Sequence, residues 1–151
     1  MIGRHSWGVL ALTVGVAAGA GFAVAPPAPG PEVTVYKSPS CGCCKKWIEH
    51  LQAAGFRVTA HDTSNLSDVR THAGVPRGVT ACHTALVEGY AVEGHVPADV
   101  IRRLLTEHPA ITGVAVPGMP AGSPGMESET PAHYRILTFD KTGTTAVYGS
   151  R

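Results

Sequence analysis

Four cysteines carry the most reactive chemistry in this 151-residue chain, and three of them fall within four positions, as Cys41-Gly42-Cys43-Cys44, with Cys82 further on. Cys41 and Cys44 have the C-x-x-C spacing that, between a strand and a helix, reads as a thioredoxin-like redox pair. A helix N-terminus offers unpaired N–H groups and a partial positive charge, which favour thiolate over thiol. Lys45 and Lys46 add to that field. Cys41, nearest the helix start, is therefore the expected reactive sulfur, with Cys44 as its catalytic partner if the pair is redox-active. Cys43 complicates a simple exchange catalyst, because a third sulfur inside the pair offers competing disulfides. It suits a metal site better.

Thiolates select copper(I), zinc(II) or iron–sulfur clusters, whereas magnesium or calcium would need carboxylates. Structural zinc is usually held by two well-separated knuckles. This chain has one knuckle plus a single cysteine, and two of its sulfurs are vicinal. Copper(I) accepts two or three thiolates and shares bridging sulfurs between ions, so a multinuclear thiolate cluster fits the pattern. Met119 and Met126 add thioethers that suit the same ion. His83, beside Cys82, is expected in an outer shell around the sulfurs or as a secondary contact. His95 is expected as a cap or packing residue. His61, His72, His108 and His133 show no metal spacing. The plain alternative is a pair of structural bridges, Cys41–Cys44 with Cys43–Cys82, although a bridge closing so short a loop removes little unfolded-state entropy.

The elements that must position these sulfurs are legible. Val33-Thr34-Val35-Tyr36 alternates with period two, a strand. Cys41 to Ala54 follows Ser38-Pro39-Ser40, with Trp47, Ile48, Leu51 and Ala54 on one helical face and Gly55 at the C-cap position. Phe56 to His61 reads as a strand. Leu66 to Ala73 reads as a short helix capped by Ser64 or Ser67. Thr84 to Glu88 and Ala91 to His95 form a hairpin about Gly89-Tyr90. Pro97 opens another helix, with Val100, Ile101, Leu104 and Leu105 inward. The order is that of an α/β, thioredoxin-like βαβαββα core. A Gly/Pro-rich loop, Gly113 to Pro131, and a last hairpin, Tyr134 to Asp140 and Thr144 to Tyr148, extend it. In this reading Cys82 enters the third strand where thioredoxins carry a proline against the C-x-x-C pair, so four sulfurs converge.

The run Tyr36-Lys37-Ser38-Pro39-Ser40-Cys41-Gly42-Cys43-Cys44-Lys45-Lys46-Trp47, with Cys82-His83-Thr84, Gly94-His95-Val96-Pro97 and the Pro117 to Met126 loop, resembles the CopG-type copper proteins. These are a former domain of unknown function, unrelated to the ribbon-helix-helix repressors of the same name. The resemblance extends over essentially Glu32 to Ser150. It implies a periplasmic thioredoxin-like fold, cysteine-bound copper and a place in copper resistance, with copper oxidoreductase activity as an extension. Carried over by position, the implied ligands are Cys41, Cys43, Cys44 and Cys82. Copper ions are the expected partner, together with other periplasmic copper-handling proteins. The competing reading from the residues is a thiol–disulfide oxidoreductase acting on exported proteins; a zinc-stabilised binding module is a third.

Residues 1–25 read as an export signal or N-terminal membrane anchor: Arg4 and His5, then Trp7 to Ala25 without a charge, ending in Ala23-Val24-Ala25. Pro26 directly after that triplet hinders cutting, so membrane association through an uncleaved segment stays open, and no other membrane contact is expected. Residues 26–31 form a Pro-rich linker, and residues 32–151 are the expected copper-binding domain. The formal charge of +1 disappears once Arg4 is set aside, leaving 11 basic against 11 acidic residues. A neutral surface without a basic cluster argues against nucleic-acid binding.

Overall fold

A computed structural model describes residues 29–151, with Gly3 alone before them. The expected export segment, residues 1–25, and residues 26–28 of the linker otherwise lie outside the described residues. Among the described residues no helix is long and apolar enough to cross a membrane.

The chain runs β1 (Glu32–Lys37), α1 (Gly42–Ala53), β2 (Arg57–Asp62), α2 (Leu66–Ala73), a single 3-10 turn at Arg77–Val79, β3 (His83–Val87), β4 (Tyr90–Glu93) and α3 (Ala98–Glu107). This is the expected order of strand, helix, strand, helix, strand, strand, helix. Three further strands follow, β5 (Gly113–Ala115), β6 (Arg135–Phe139) and β7 (Thr145–Ser150). All seven strands form one mixed sheet in the order β2-β1-β3-β4-β5-β6-β7. β1 and β2 are parallel, as are β4 and β5, and the other pairs are antiparallel.

Alternation along the strands sorts the two faces. Val33, Val35, Ala85, Val87, Val92, Val114 and Ile136 point to one side, where they pack with Trp47 and Leu51 of α1 and Val100, Ile101 and Leu104 of α3. Ala91, Ala115 and Phe139 point to the other and pack with Val75 and Val79. The i, i+3, i+7 spacing of Cys44, Trp47 and Leu51 fixes which face of α1 is buried. Trp47 is further tied down by its indole N–H, which donates to the Val96 carbonyl at 2.9 Å.

Several sequence expectations shift. The Gly113 to Pro131 stretch is not all loop: Gly113, Val114 and Ala115 form β5, fully buried beside β4. Three residues opening on glycine give too short an alternating run to declare a strand. The hairpin turn is Glu88-Gly89, not Gly89-Tyr90. Both residues have positive φ, 45° and 84°, which matches the twist of the flanking strands. Asn65, not Ser64 or Ser67, caps α2, its side chain accepting from the Asp68 N–H. Pro97 is the N-cap of α3 instead of its first residue.

Candidate metal centre

Sheet register brings Cys82 to the other cysteines. β1 runs antiparallel to β3 with Lys37 opposite His83, so the residue before His83 lies at the end of the sheet where β1 stops. There the Ser38 carbonyl accepts from the Cys41 N–H at 3.1 Å, a tight turn that delivers Cys41 as the N-cap of α1. The first turn of the helix then supplies Cys43 and Cys44.

The ligating atoms of Cys41, Cys43, Cys44 and Cys82 all lie within 4.8 Å of one another. Cys41 and Cys44 are joined as a disulfide with Cα atoms 5.3 Å apart. Cys43 and Cys82 are free thiols, each half-buried. The Cys43 sulfur stands 3.6 Å from Cys41 and 3.9 Å from Cys82. Of the two structural bridges considered from sequence, the first is present and the second is not. Burial, and next the neighbouring Cys43, push the Cys82 thiol up to about 12, so without a metal Cys82 keeps its proton.

Two histidines complete the cluster. His95 is fully buried, and its Nε2 lies 2.9 Å from the Cys82 sulfur while its Nδ1 lies 2.7 Å from the Pro124 carbonyl. A carbonyl can only accept, so Nδ1 carries the proton. Burial lowers the His95 pKa, and the neutral ring therefore presents its Nε2 lone pair to Cys82. A ring nitrogen anchored on a carbonyl, with the other free, is the usual preparation of a metal-binding or base histidine. His83 packs against Trp47 with ring centroids 4.3 Å apart. Its Nδ1 is 3.4 Å from the Cys82 sulfur. Burial, and then His95, lower its pKa to about 3, and its buried Nε2 has no hydrogen-bond partner. Cys82, His83 and His95 thus form a second group of ligand atoms within 4.8 Å. Neither group contains a carboxylate, and that donor set fits a soft ion and not magnesium or calcium.

A buried carboxylate holds the loop that carries Cys82. Glu93, with no exposed surface, accepts from Arg70 Nε at 2.8 Å, the Ala81 N–H at 2.7 Å and the Thr84 hydroxyl at 2.6 Å. Arg70 also donates to the Ala81 carbonyl. Gly94, with φ 73°, makes the turn from Glu93 to His95; a Cβ there would stand 2.6 Å from Val116 O.

The loop after β5 closes the site from the other side. Gly125, with φ 87°, sits so near α1 that a Cβ would come within 2.7 Å of the Cys43 carbonyl and 2.9 Å of the Trp47 nitrogen. The Ser123 carbonyl accepts from Met126 N–H at 2.8 Å, and the Met126 carbonyl accepts from Gly122 N–H at 2.7 Å. Met119 and Met126 line a cavity together with Cys43, the first exposed and the second half-buried. Lys45 and Lys46 are exposed on α1, with Lys46 Nζ 3.9 Å from the Glu127 carboxylate. His61, His72, His108 and His133 are exposed and stand apart from the cluster. The structure brings His83 beside Cys82, and it also brings His95 there, a residue expected only as a cap or packing residue. Sequence reasoning missed Glu93 altogether.

Comparison with known proteins accords with this arrangement. Residues 79–126 match a family described as a protein of unknown function, DUF411. No curated protein sequence matches significantly. A solved structure of copper resistance protein CopG, form 1, is 42% identical with a TM-score of 0.76, covering 80% of this chain and 96% of its own. Form 2 of a protein with the same name is 41% identical with a TM-score of 0.77, covering 81% of this chain and 98% of its own. At that identity, over nearly the full length of those structures, the chain belongs to the CopG family of copper resistance proteins.

Proposed function

We propose that this protein binds copper(I) in the periplasm through the thiolates of Cys41, Cys43, Cys44 and Cys82. The observation that carries the proposal is the convergence of all four sulfurs within 4.8 Å. When bound there, copper supplies a soft ion able to alternate between two oxidation states, which makes electron transfer at the same site part of the proposal.

The chain's own residues set the conditions. With Cys41 and Cys44 bridged, two thiols are available. An external dithiol that attacks the bridge leaves as its own disulfide, and its two electrons and two protons end on the Cys41 and Cys44 sulfurs. Four thiols then line the site, enough to share bridging sulfurs among several ions. Each must give up its proton on binding a metal, and His95 Nε2 is the nearest nitrogen acceptor for the Cys82 proton. The uncharged N-terminal run supports export, and with it a role outside the cytoplasm alongside other copper-handling proteins.

Anaerobic copper(I) titration of the reduced protein tests the site. The wild type is expected to bind with a stoichiometry and affinity that Cys82→Ser loses; equal binding by the variant overturns the four-sulfur site.

The Cys41–Cys44 bridge at the head of α1 supports a second reading, a thiol–disulfide oxidoreductase acting on exported proteins. That reading expects turnover in an insulin-reduction assay that survives Cys43→Ser. A copper protein is expected to be nearly inactive in it.

A further inference from the structure

A cavity of about 450 Å³ opens beside the cluster, lined in part by Cys43, Lys46, Met119, Gly125, Met126 and Glu127. The copper site proposed above uses Cys43 but gives no role to the rest of this chamber. Met119 is 51% exposed, and among the described residues only Val147 is a more open large apolar side chain. A methionine that merely fills irregular space in a core would be covered. Met126 beside it is half-buried, then Cys43 and Cys82 are half-buried, and His95 is fully buried. One exposed sulfur, Met119, and two half-buried ones, Met126 and Cys43, thus line the same chamber.

We propose that Met119 and Met126 form a loading port, at which copper(I) is first captured by thioethers and then passed to Cys43. The proposal rests on the reading of the cysteine cluster as a copper site, and adds the route and the filter. Thioethers are soft ligands, but being neutral they offset the dehydration of monovalent copper(I) better than that of the more strongly hydrated zinc(II) or cadmium(II). Thiolates accept all three ions. Selection for the monovalent ion thus falls on the methionines and retention on the cysteines. The transfer is a ligand exchange: the sulfur–copper contacts to methionine break, the Cys43 sulfur bonds the ion, and the Cys43 proton leaves to solvent. No electron moves. The wall is held in place by the Gly122–Met126 and Ser123–Met126 hydrogen bonds and by the close seat of Gly125 on α1.

Loading kinetics of the full chain, with its cysteines reduced under anaerobic conditions, test the port. Copper(I) is supplied as its bicinchoninate complex and followed by loss of the complex's colour. Cadmium(II) is supplied separately and followed by the ultraviolet thiolate-to-metal band. The Met119→Leu/Met126→Leu variant conserves volume and is expected to fold; Met119→Leu alone, at an exposed position, serves if it does not. The double variant is expected to take up copper(I) about tenfold more slowly, equivalent to about 1.4 kcal/mol in the barrier. Its final stoichiometry and its cadmium(II) rate should match wild type. Unchanged copper(I) uptake overturns the port. Equal slowing of both ions overturns it too, since the loop would then be only a steric cover. A wild type that takes up cadmium(II) but no copper(I) overturns the copper site itself, and the port with it.

Discussion

Arg70 Nε lies 2.8 Å from the carboxylate of Glu93, across the face of the sheet opposite Trp47, and both groups grip Ala81, the residue before Cys82. The strand that leads into His95 and the helix α2 are thereby fastened to the loop that delivers the fourth sulfur. Glu93 carries the negative charge, and Arg70, with only 18% of its side chain exposed, depends on it. Removing one partner of a buried pair strands the other, at a cost of about 3–5 kcal/mol. Glu93→Ala is expected to lose stability on that scale in urea unfolding of the metal-free protein. Glu93→Gln, which keeps two acceptor sites, is expected to lose less than half as much; equal losses would mean that the carboxylate's hydrogen bonds are not what holds the loop.

His95 is expected to matter for metal affinity although it is no cysteine. With Nδ1 fixed by Pro124, its Nε2 bears directly on Cys82. Loss of a partner of this kind costs about 10–100-fold in metal affinity. Competition with bicinchoninate should show His95→Ala weaker by that factor with all four cysteines intact. An unchanged affinity would reduce His95 to packing.

His50, in the last turn of α1, provides a pH dependence. Its Nε2 accepts the Ala98 N–H at 3.1 Å, at the start of α3 where Pro97 offers no side-chain cap. Burial lowers its pKa from 6.5, against the opposing pull of Asp99 and Glu127. The unfolded chain therefore takes the proton first as pH falls. The contribution is complete above pH 6.5 and is lost as pH drops below it toward the lowered folded value. Screening around this half-buried ring keeps the slope below the one-proton limit of about 1.4 kcal/mol per pH unit. The difference between unfolding midpoints at pH 7.5 and 5 should shrink in His50→Gln, the remainder coming from His83 and His95, whose pKa values burial also lowers; a difference as large as that of the wild type would exclude a contribution from His50.

Gly125→Ala should unseat the loop. The added methyl meets the Cys43 carbonyl and the Trp47 nitrogen well inside contact distance, and φ 87° is unfavourable for alanine. A loss of about 1–3 kcal/mol follows, together with faster amide hydrogen exchange in residues 120–127. Thermal unfolding and exchange mass spectrometry would register both, and wild-type values in each would show that the backbones can part without penalty.

The helix faces and the reach of Cys82 were legible because each rests on local periodicity or on one strand pairing. Trp47 and Leu51 declare their face by spacing alone, and β1 against β3 carries Cys82 to the cysteine trio once the strand order is read. The approach of His95 to Cys82 was not legible because its ring is anchored on Pro124, 29 positions later in a loop without periodicity. Glu93 escaped because a carboxylate ending a strand looks solvated until α2 supplies Arg70. β5 escaped because its neighbours β4 and β6, which make it a strand, are remote in sequence.

Because β5 runs parallel to β4, both strands release their chains at the same end of the sheet, one into His95 and the other into the methionine loop. The C-terminal hairpin clamps the far end of that loop by pairing β6 back onto β5. The terminal quarter of the chain is thus a brace whose two feet stand in the common sheet. Trimming it would open a seam along β4 and release the wall facing Cys43, so the shortest chain able to keep this pocket intact includes the hairpin.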